Sequence, residues 1–232
     1  MLGPVDYFLW FGSAFLQAGV VVCSVRSRSF GRYFPLNLYM GVAFVLTISR
    51  YFVFSRFGIL SAQYIYFYYY SDALLTIFLF FALMGLYSQV FKELGASAHV
   101  RIGAILLLGL TAGFSYQVVA GSTDKMITRF VVELGQNMNF VGVVLTYLLW
   151  IAVMKLRETR TQLIQLILAL GVYFSVFAAN YALRNLYPNF ATIWQYVPPM
   201  MALWLPVAWA YTFLKIPEKA RLVTARMAAP NR

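Results

Sequence analysis

The chain is 232 residues long, 62% hydrophobic and 19% aromatic, with 11% charged residues and a net charge of +11. An apolar fraction so far above that of water-soluble domains marks a multi-pass membrane protein and excludes an ordinary soluble enzyme or binding domain. The basic excess does not point to nucleic acid, because Lys and Arg cluster in short segments between apolar runs, as the positive-inside rule requires.

A helix needs about 20 apolar residues to cross a bilayer. Seven runs qualify, over residues 5–25, 35–54, 63–90, 101–120, 127–154, 163–186 and 191–214. The connecting loops are too short for a soluble domain. The pattern predicts an all-α, seven-transmembrane-helix bundle over residues 1–216 and a basic tail over 217–232. The first run lacks a basic segment before it and a small-residue cleavage site after it, so it is expected to stay as helix 1. The segments after helices 1, 3 and 5 and the tail hold Arg26, Arg28, Arg32, Lys92, Arg101, Lys155, Arg157, Arg160, Lys215, Lys219, Arg221, Arg226 and Arg232. The other side holds Arg50, Arg56, Lys125, Arg129 and Arg184. That bias places the N-terminus outside and the C-terminus in the cytoplasm.

In helix 1, Cys23 is the only cysteine, so no internal disulfide forms, and it reads as a small apolar filler. His99 is the only histidine; no His/Cys metal cluster or bis-histidine haem site can be assembled, and no cofactor is expected. Helix 2 carries Arg50 near its outer end. Helix 3 opens with Tyr64, Tyr66, Tyr68, Tyr69 and Tyr70, an interfacial aromatic belt, from which Tyr68, Asp72 and Thr76 continue inward at helical spacing. Helix 4 contains Gly109 and Gly113, whose spacing predicts close packing inside the bundle, with contact to another chain as the alternative.

Helix 5 begins with RFVVELGQNMNF, in which Arg129, Glu133, Gln136 and Asn137 share one stripe. Unpaired polar groups cost several kcal/mol in hydrocarbon, so the stripe must face other helices or a wet cavity. Helix 6 repeats the pattern with Tyr173, Phe177, Asn180 and Arg184. Helix 7 supplies Trp194, Gln195 and Tyr196, followed by Pro198, Pro199 and Pro206, which predict a bent helix. The tail is expected to rest on anionic lipid headgroups.

All the intramembrane charges and amides fall in the outer half under this topology, and the inner half has almost nothing comparable. Arg50 is expected to pair with Asp72 and Arg184 with Glu133, while Arg129 snorkels to the interface. The amides exceed what these charges need, so a small polar or anionic ligand is expected among Arg50, Asp72, Arg129, Glu133, Gln136, Asn137, Asn180, Arg184 and Gln195. HExxH, serine-elbow and Cys/His devices are missing, and no enzymatic activity is expected. A retinal protein would need a lysine within its last helix, whereas Lys215 lies at the end of helix 7. Binding or sensing of a ligand from outside is the leading expectation. The alternatives are a small-solute transporter and a non-catalytic subunit meeting a partner membrane protein or a second copy of itself.

Sliding the chain by 130 residues overlays helices 1 to 3 on helices 5 to 7, matching Gly41 with Gly171, Phe44 with Phe174 and Tyr51 with Tyr181. Such a match permits a three-plus-one-plus-three arrangement of parallel repeats. The RYF near helix 2, YYYSDALL in helix 3, RFVVE in helix 5 and ALGVYFSVF in helix 6 resemble a group of uncharacterised seven-helix membrane proteins of acidobacteria. The resemblance implies a protein of the bacterial inner membrane and brings no activity with it.

Overall fold

A computed structural model describes residues 4–91, 97–120, 126–156, 160–187 and 196–217. Among the described residues the chain is wholly helical: α1 (Pro4–Arg26), α2 (Phe34–Phe57), α3 (Ala62–Val90), α4 (Ser97–Val119), α5 (Met126–Lys155), α6 (Thr161–Leu186) and α7 (Val197–Lys215). All except α4 are long and apolar enough to cross a membrane; in α4 the qualifying apolar stretch is the shorter Ile105–Val119.

Local chemistry sets the helix ends. Gly58, at φ 81°, closes α2 in a conformation that side chains disfavour. Ser61 then caps α3, its hydroxyl accepting from the Tyr64 amide at 3.1 Å. Contrary to the expected bend, Pro198 and Pro199 sit in the first turn of α7, where an amide has no helical acceptor to lose, so they begin the helix without bending it. Pro206 alone interrupts the ladder. Trp194, Gln195 and residues 218–232 lie outside the described residues.

The helices α1, α2, α3, α5, α6 and α7 pack in that order as a closed ring, with α7 returning to α1. Helix α4 lies outside the ring, against α5 and α3. Contacts also cross the middle: α3 approaches α6, and Tyr39 of α2 meets Trp209 of α7 edge-on at 6.0 Å. The principal core runs through Val20, Leu36, Met40, Leu83, Leu86, Leu149, Leu166, Phe174, Trp209 and Phe213. Apart from Phe174 at the middle of α6, these residues lie toward the end where Arg26, Arg32, Lys155, Arg160 and Lys215 emerge, called here the basic end. The ring is therefore packed tight at the basic end and looser at the other.

Hydrocarbon tails are as apolar as leucine, so close packing and hydrogen bonds must hold such helices together. Three glycines allow the closest approaches. A Cβ on Gly85 would stand 2.9 Å from the Pro35 ring, one on Gly142 2.5 Å from the Phe174 ring, and one on Gly171 2.9 Å from Thr146. Gly109 and Gly113 do not behave as the sequence suggests: a Cβ on either would meet nothing within 4 Å. Because α4 is outside the ring, this face turns outward together with Leu106, Leu110 and Phe114.

Buried polar groups also occur at the basic end, contrary to the expectation that this half would be almost free of them. Gln89 donates to the Arg32 carbonyl at 2.8 Å, Arg160 to the Gln89 carbonyl at 3.0 Å, and Gln162 to the Ile216 carbonyl at 3.3 Å. Gln89 and Gln162 are uncharged amides near helix ends that satisfy carbonyls just outside the helices, so they leave no periodic stripe to read.

Candidate functional site

Arg50 reaches from α2 to α3. Its Nε donates to the Ser71 hydroxyl at 2.7 Å and its Nη2 to the Tyr68 carbonyl at 3.3 Å. The guanidinium also lies over the Tyr68 ring, 4.5 Å from its centre. Asp72 completes the group, with Oδ1 3.6 Å from Nη2, longer than a good charge-assisted hydrogen bond. The two side chains differ in access: Arg50 is 14% exposed and Asp72 49%.

Asp72 lies ten residues into α3, which at 1.5 Å per residue is about 15 Å along the axis. Its carboxylate is within electrostatic reach of the hydroxyls of Tyr39 on α2 and of Tyr173 and Tyr181 on α6. The Tyr39 and Tyr173 hydroxyls lie close enough to interact across the ring. A carboxylate that is half open yet within electrostatic reach of hydroxyls on α2 and α6 marks the space between α2, α3 and α6 as the candidate cleft. Below it, Tyr39 rests on Trp209, which is fully buried, and the core closes the basic end. The candidate cleft lies on the other side of this core from the basic end.

One wall is an aromatic ladder on α6. Tyr173 and Phe177 lie 4.6 Å apart and Phe177 and Tyr181 6.4 Å apart, the successive turns of a single face. Asn180, seven residues after Tyr173, shares that face. It is 5% exposed, and its side-chain oxygen has no hydrogen-bond partner.

The expected site thus divides. Arg50, Asp72 and Asn180 belong to the cleft formed by α2, α3 and α6. On α5, Asn137 donates to the Ser115 hydroxyl at 2.9 Å, Tyr116 packs on Phe130 at 6.5 Å, and Leu134 and Met138 pack with Phe80. Part of the α5 stripe is therefore spent on holding α4 to the ring. Glu133 and Gln136 are partly buried and Arg129 is exposed. The expected pairing of Arg184 with Glu133 does not form: Arg184 is exposed near the end of α6 beside Tyr181, and neither residue has an ion-pair partner among the described residues. Separate rotations of α5 and α6 turn the two charges apart, which matching depth could not reveal. Gln195 lies outside the described residues.

Sequence reasoning missed Tyr39, Ser71 and Tyr181. Tyr39 was one aromatic among many; Ser71 and Tyr181 adjoin residues that were selected, and only the folded geometry separates them from their neighbours. It also missed the seam between α1 and α2, where Trp10 donates to the Thr47 carbonyl at 3.0 Å and the Thr47 hydroxyl to Gln17 at 3.1 Å.

A second concavity, a groove of about 360 Å³, lies between α5 and α6. Thr146, Trp150, Ile167, Gly171 and Val172 line it, and no charged side chain does. Tyr147 and Leu168 on its rim are exposed, so it is a lipid-facing furrow left by the close α5–α6 approach and lies apart from the Asp72 cleft. In comparisons with known proteins, the chain matches no family model, no curated protein and no solved structure.

Proposed function

We propose that this chain is a seven-span protein of the bacterial inner membrane that binds a small polar ligand in the cleft between α2, α3 and α6. The N-terminus and the cleft mouth face outward, and the basic end faces the cytoplasm. The observation that carries the reading is Asp72, a charged group held inside a ring of apolar helices and left half open. A structural ion pair would be closed on both sides, whereas a binding group keeps an accessible face. With such short connections the protein would signal, if it is a sensor, through a partner in the membrane.

Native mass spectrometry of the protein extracted from its host, followed by thermal shifts with polar metabolites, tests this reading. A ligand should stabilise the wild type as RT ln(1 + [L]/Kd) and lose that effect in Asp72→Asn and Arg50→Ala while keeping it in Glu133→Ala. Equal losses in all three variants would count against the cleft. The orientation has its own check in a Cys23→Ala background. An impermeant thiol reagent applied to intact inner-membrane vesicles or spheroplasts of known sidedness should label Ser61→Cys from the outer side and Arg28→Cys only from the inner.

Transport is the second reading. The six ring helices fall into two consecutive sets of three with α4 outside, as a three-plus-one-plus-three arrangement would have them. Below the cleft, Ser24, Asn37, Gln162 and Trp209 each bury a polar atom without a partner, groups that a reopened basic end could hydrate. Uptake of the stabilising ligand into proteoliposomes separates transport from binding alone. An accessory role would place a partner on the open Gly109/Gly113 face of α4.

A further inference from the structure

We infer that the ligand of the cleft carries an organic ammonium group, which docks against the open side of Asp72 and the tyrosine rings around it. This deepens the binding function proposed above and rests on it.

The hydrogen-bond inventory sets the sign. Arg50 is the cation that an anionic ligand would seek, but its Nε is taken by Ser71, its Nη2 by the Tyr68 carbonyl, and one ring face covers its guanidinium. Its fork is turned onto α3 and is not presented for bidentate binding of a carboxylate or phosphate. Apart from Nη1 of Arg50, which makes no hydrogen bond among the described residues, the unspent capacity is on the acceptor side. Asp72 stands 3.6 Å from Arg50, an ion pair beyond hydrogen-bond distance, with 49% of its side chain accessible. Asn180, on the cleft face of α6, has a carbonyl oxygen without a donor. A ligand that donates, or that is simply positive, would complete both groups; one that only accepts would leave both unpaired.

The lining agrees. The hydroxyls of Tyr39, Tyr68, Tyr173 and Tyr181 lie within electrostatic reach of Asp72, with Phe177 between the last two residues on α6. A carboxylate among aromatic faces suits an ammonium, which gains from the negative face of each ring and from the opposite charge at once. Two other positive groups bear on the cleft. Arg50 is turned onto Ser71 and the Tyr68 carbonyl of α3, and Arg184 stands exposed beside Tyr181, where it would meet a carboxylate on the ligand's far end.

The probes are choline, glycine betaine and acetate, titrated at matched ionic strength against the full chain in detergent, with binding read from saturable thermal stabilisation and tryptophan fluorescence. Choline and betaine should both bind, and Asp72→Asn should weaken both at least tenfold. Asn180→Asp, which adds a second carboxylate to the same face, should strengthen choline binding; it guards against a folding defect in the first variant. Arg184→Ala should weaken betaine alone. Binding of acetate without choline, lost in Arg50→Ala, would overturn the ammonium assignment and leave the cleft as the binding site. Failure of choline and betaine to bind either the wild type or Asn180→Asp would overturn the assignment as well, and absence of any bound ligand in native mass spectrometry would then remove the binding reading too.

Discussion

Trp209→Ala is expected to lower stability by about 3–5 kcal/mol, the range for truncating a buried large aromatic. Trp209 is fully buried, supports Tyr39 edge-on at 6.0 Å, and sits where α7 meets α2 across the ring. Between helices in a bilayer there is little hydrophobic driving force, because lipid competes equally well for apolar surface; what the tryptophan contributes is contact at interior density. The void left by alanine would lie beneath Tyr39, so the cleft floor should sag and ligand binding should weaken in parallel. Trp209→Phe separates volume from polarity. The indole nitrogen has no partner, so phenylalanine loses no hydrogen bond and keeps much of the bulk, and its cost should stay under about 1.5 kcal/mol. Trp204→Ala, exposed on the same helix, should change stability by less than about 0.5 kcal/mol. Reversible unfolding in mixed micelles measures all three, and equal losses at Trp209 and Trp204 would refute this account of the core.

Gly142→Ala should be nearly as damaging for the opposite reason. The added methyl would come 2.5 Å from two atoms of the Phe174 ring, which is 1% exposed and packs on Tyr173 at 6.0 Å. The ring cannot yield without disturbing the α5–α6 seam and, through Tyr173, the cleft wall. Overpacking of this kind costs about 1–3 kcal/mol. Phe174→Leu in the same chain should restore part of the loss, giving a coupling of about 0.5–3 kcal/mol in a double-mutant cycle. Gly113→Ala is the contrast. With open space around it on an outward helix face, alanine should be neutral or stabilising by about 0.4–1 kcal/mol. If Gly113→Ala were the more harmful of the two, α4 would have to pack by a face that the structure leaves open.

The pair of glycines shows how much of the molecule is legible in one dimension. Both GxxxG in α4 and the isolated Gly142 and Gly171 are visible in the sequence, and the motif pointed to the former, yet the close approaches are made by the latter. Hydropathy alone determined that the chain is helical and built of apolar segments of spanning length, since burial in lipid is a property of each segment by itself. It also located Arg50 and Asp72 as groups that must find partners, because an isolated charge in hydrocarbon is so costly that its position is informative without any fold. Helical spacing assigned Asn180 to the face of Tyr173 and Phe177 for the same local reason. The tertiary structure decided the rest: that α4 lies outside the ring, that Asn137 turns to Ser115, that Glu133 and Arg184 stay apart, and that Tyr39 and Tyr173 meet below Asp72. A stripe fixes a direction relative to its own helix axis, but the neighbour in that direction depends on how each helix rotates and which helix it meets. Those choices are set by the packing of the small and large side chains at each crossing.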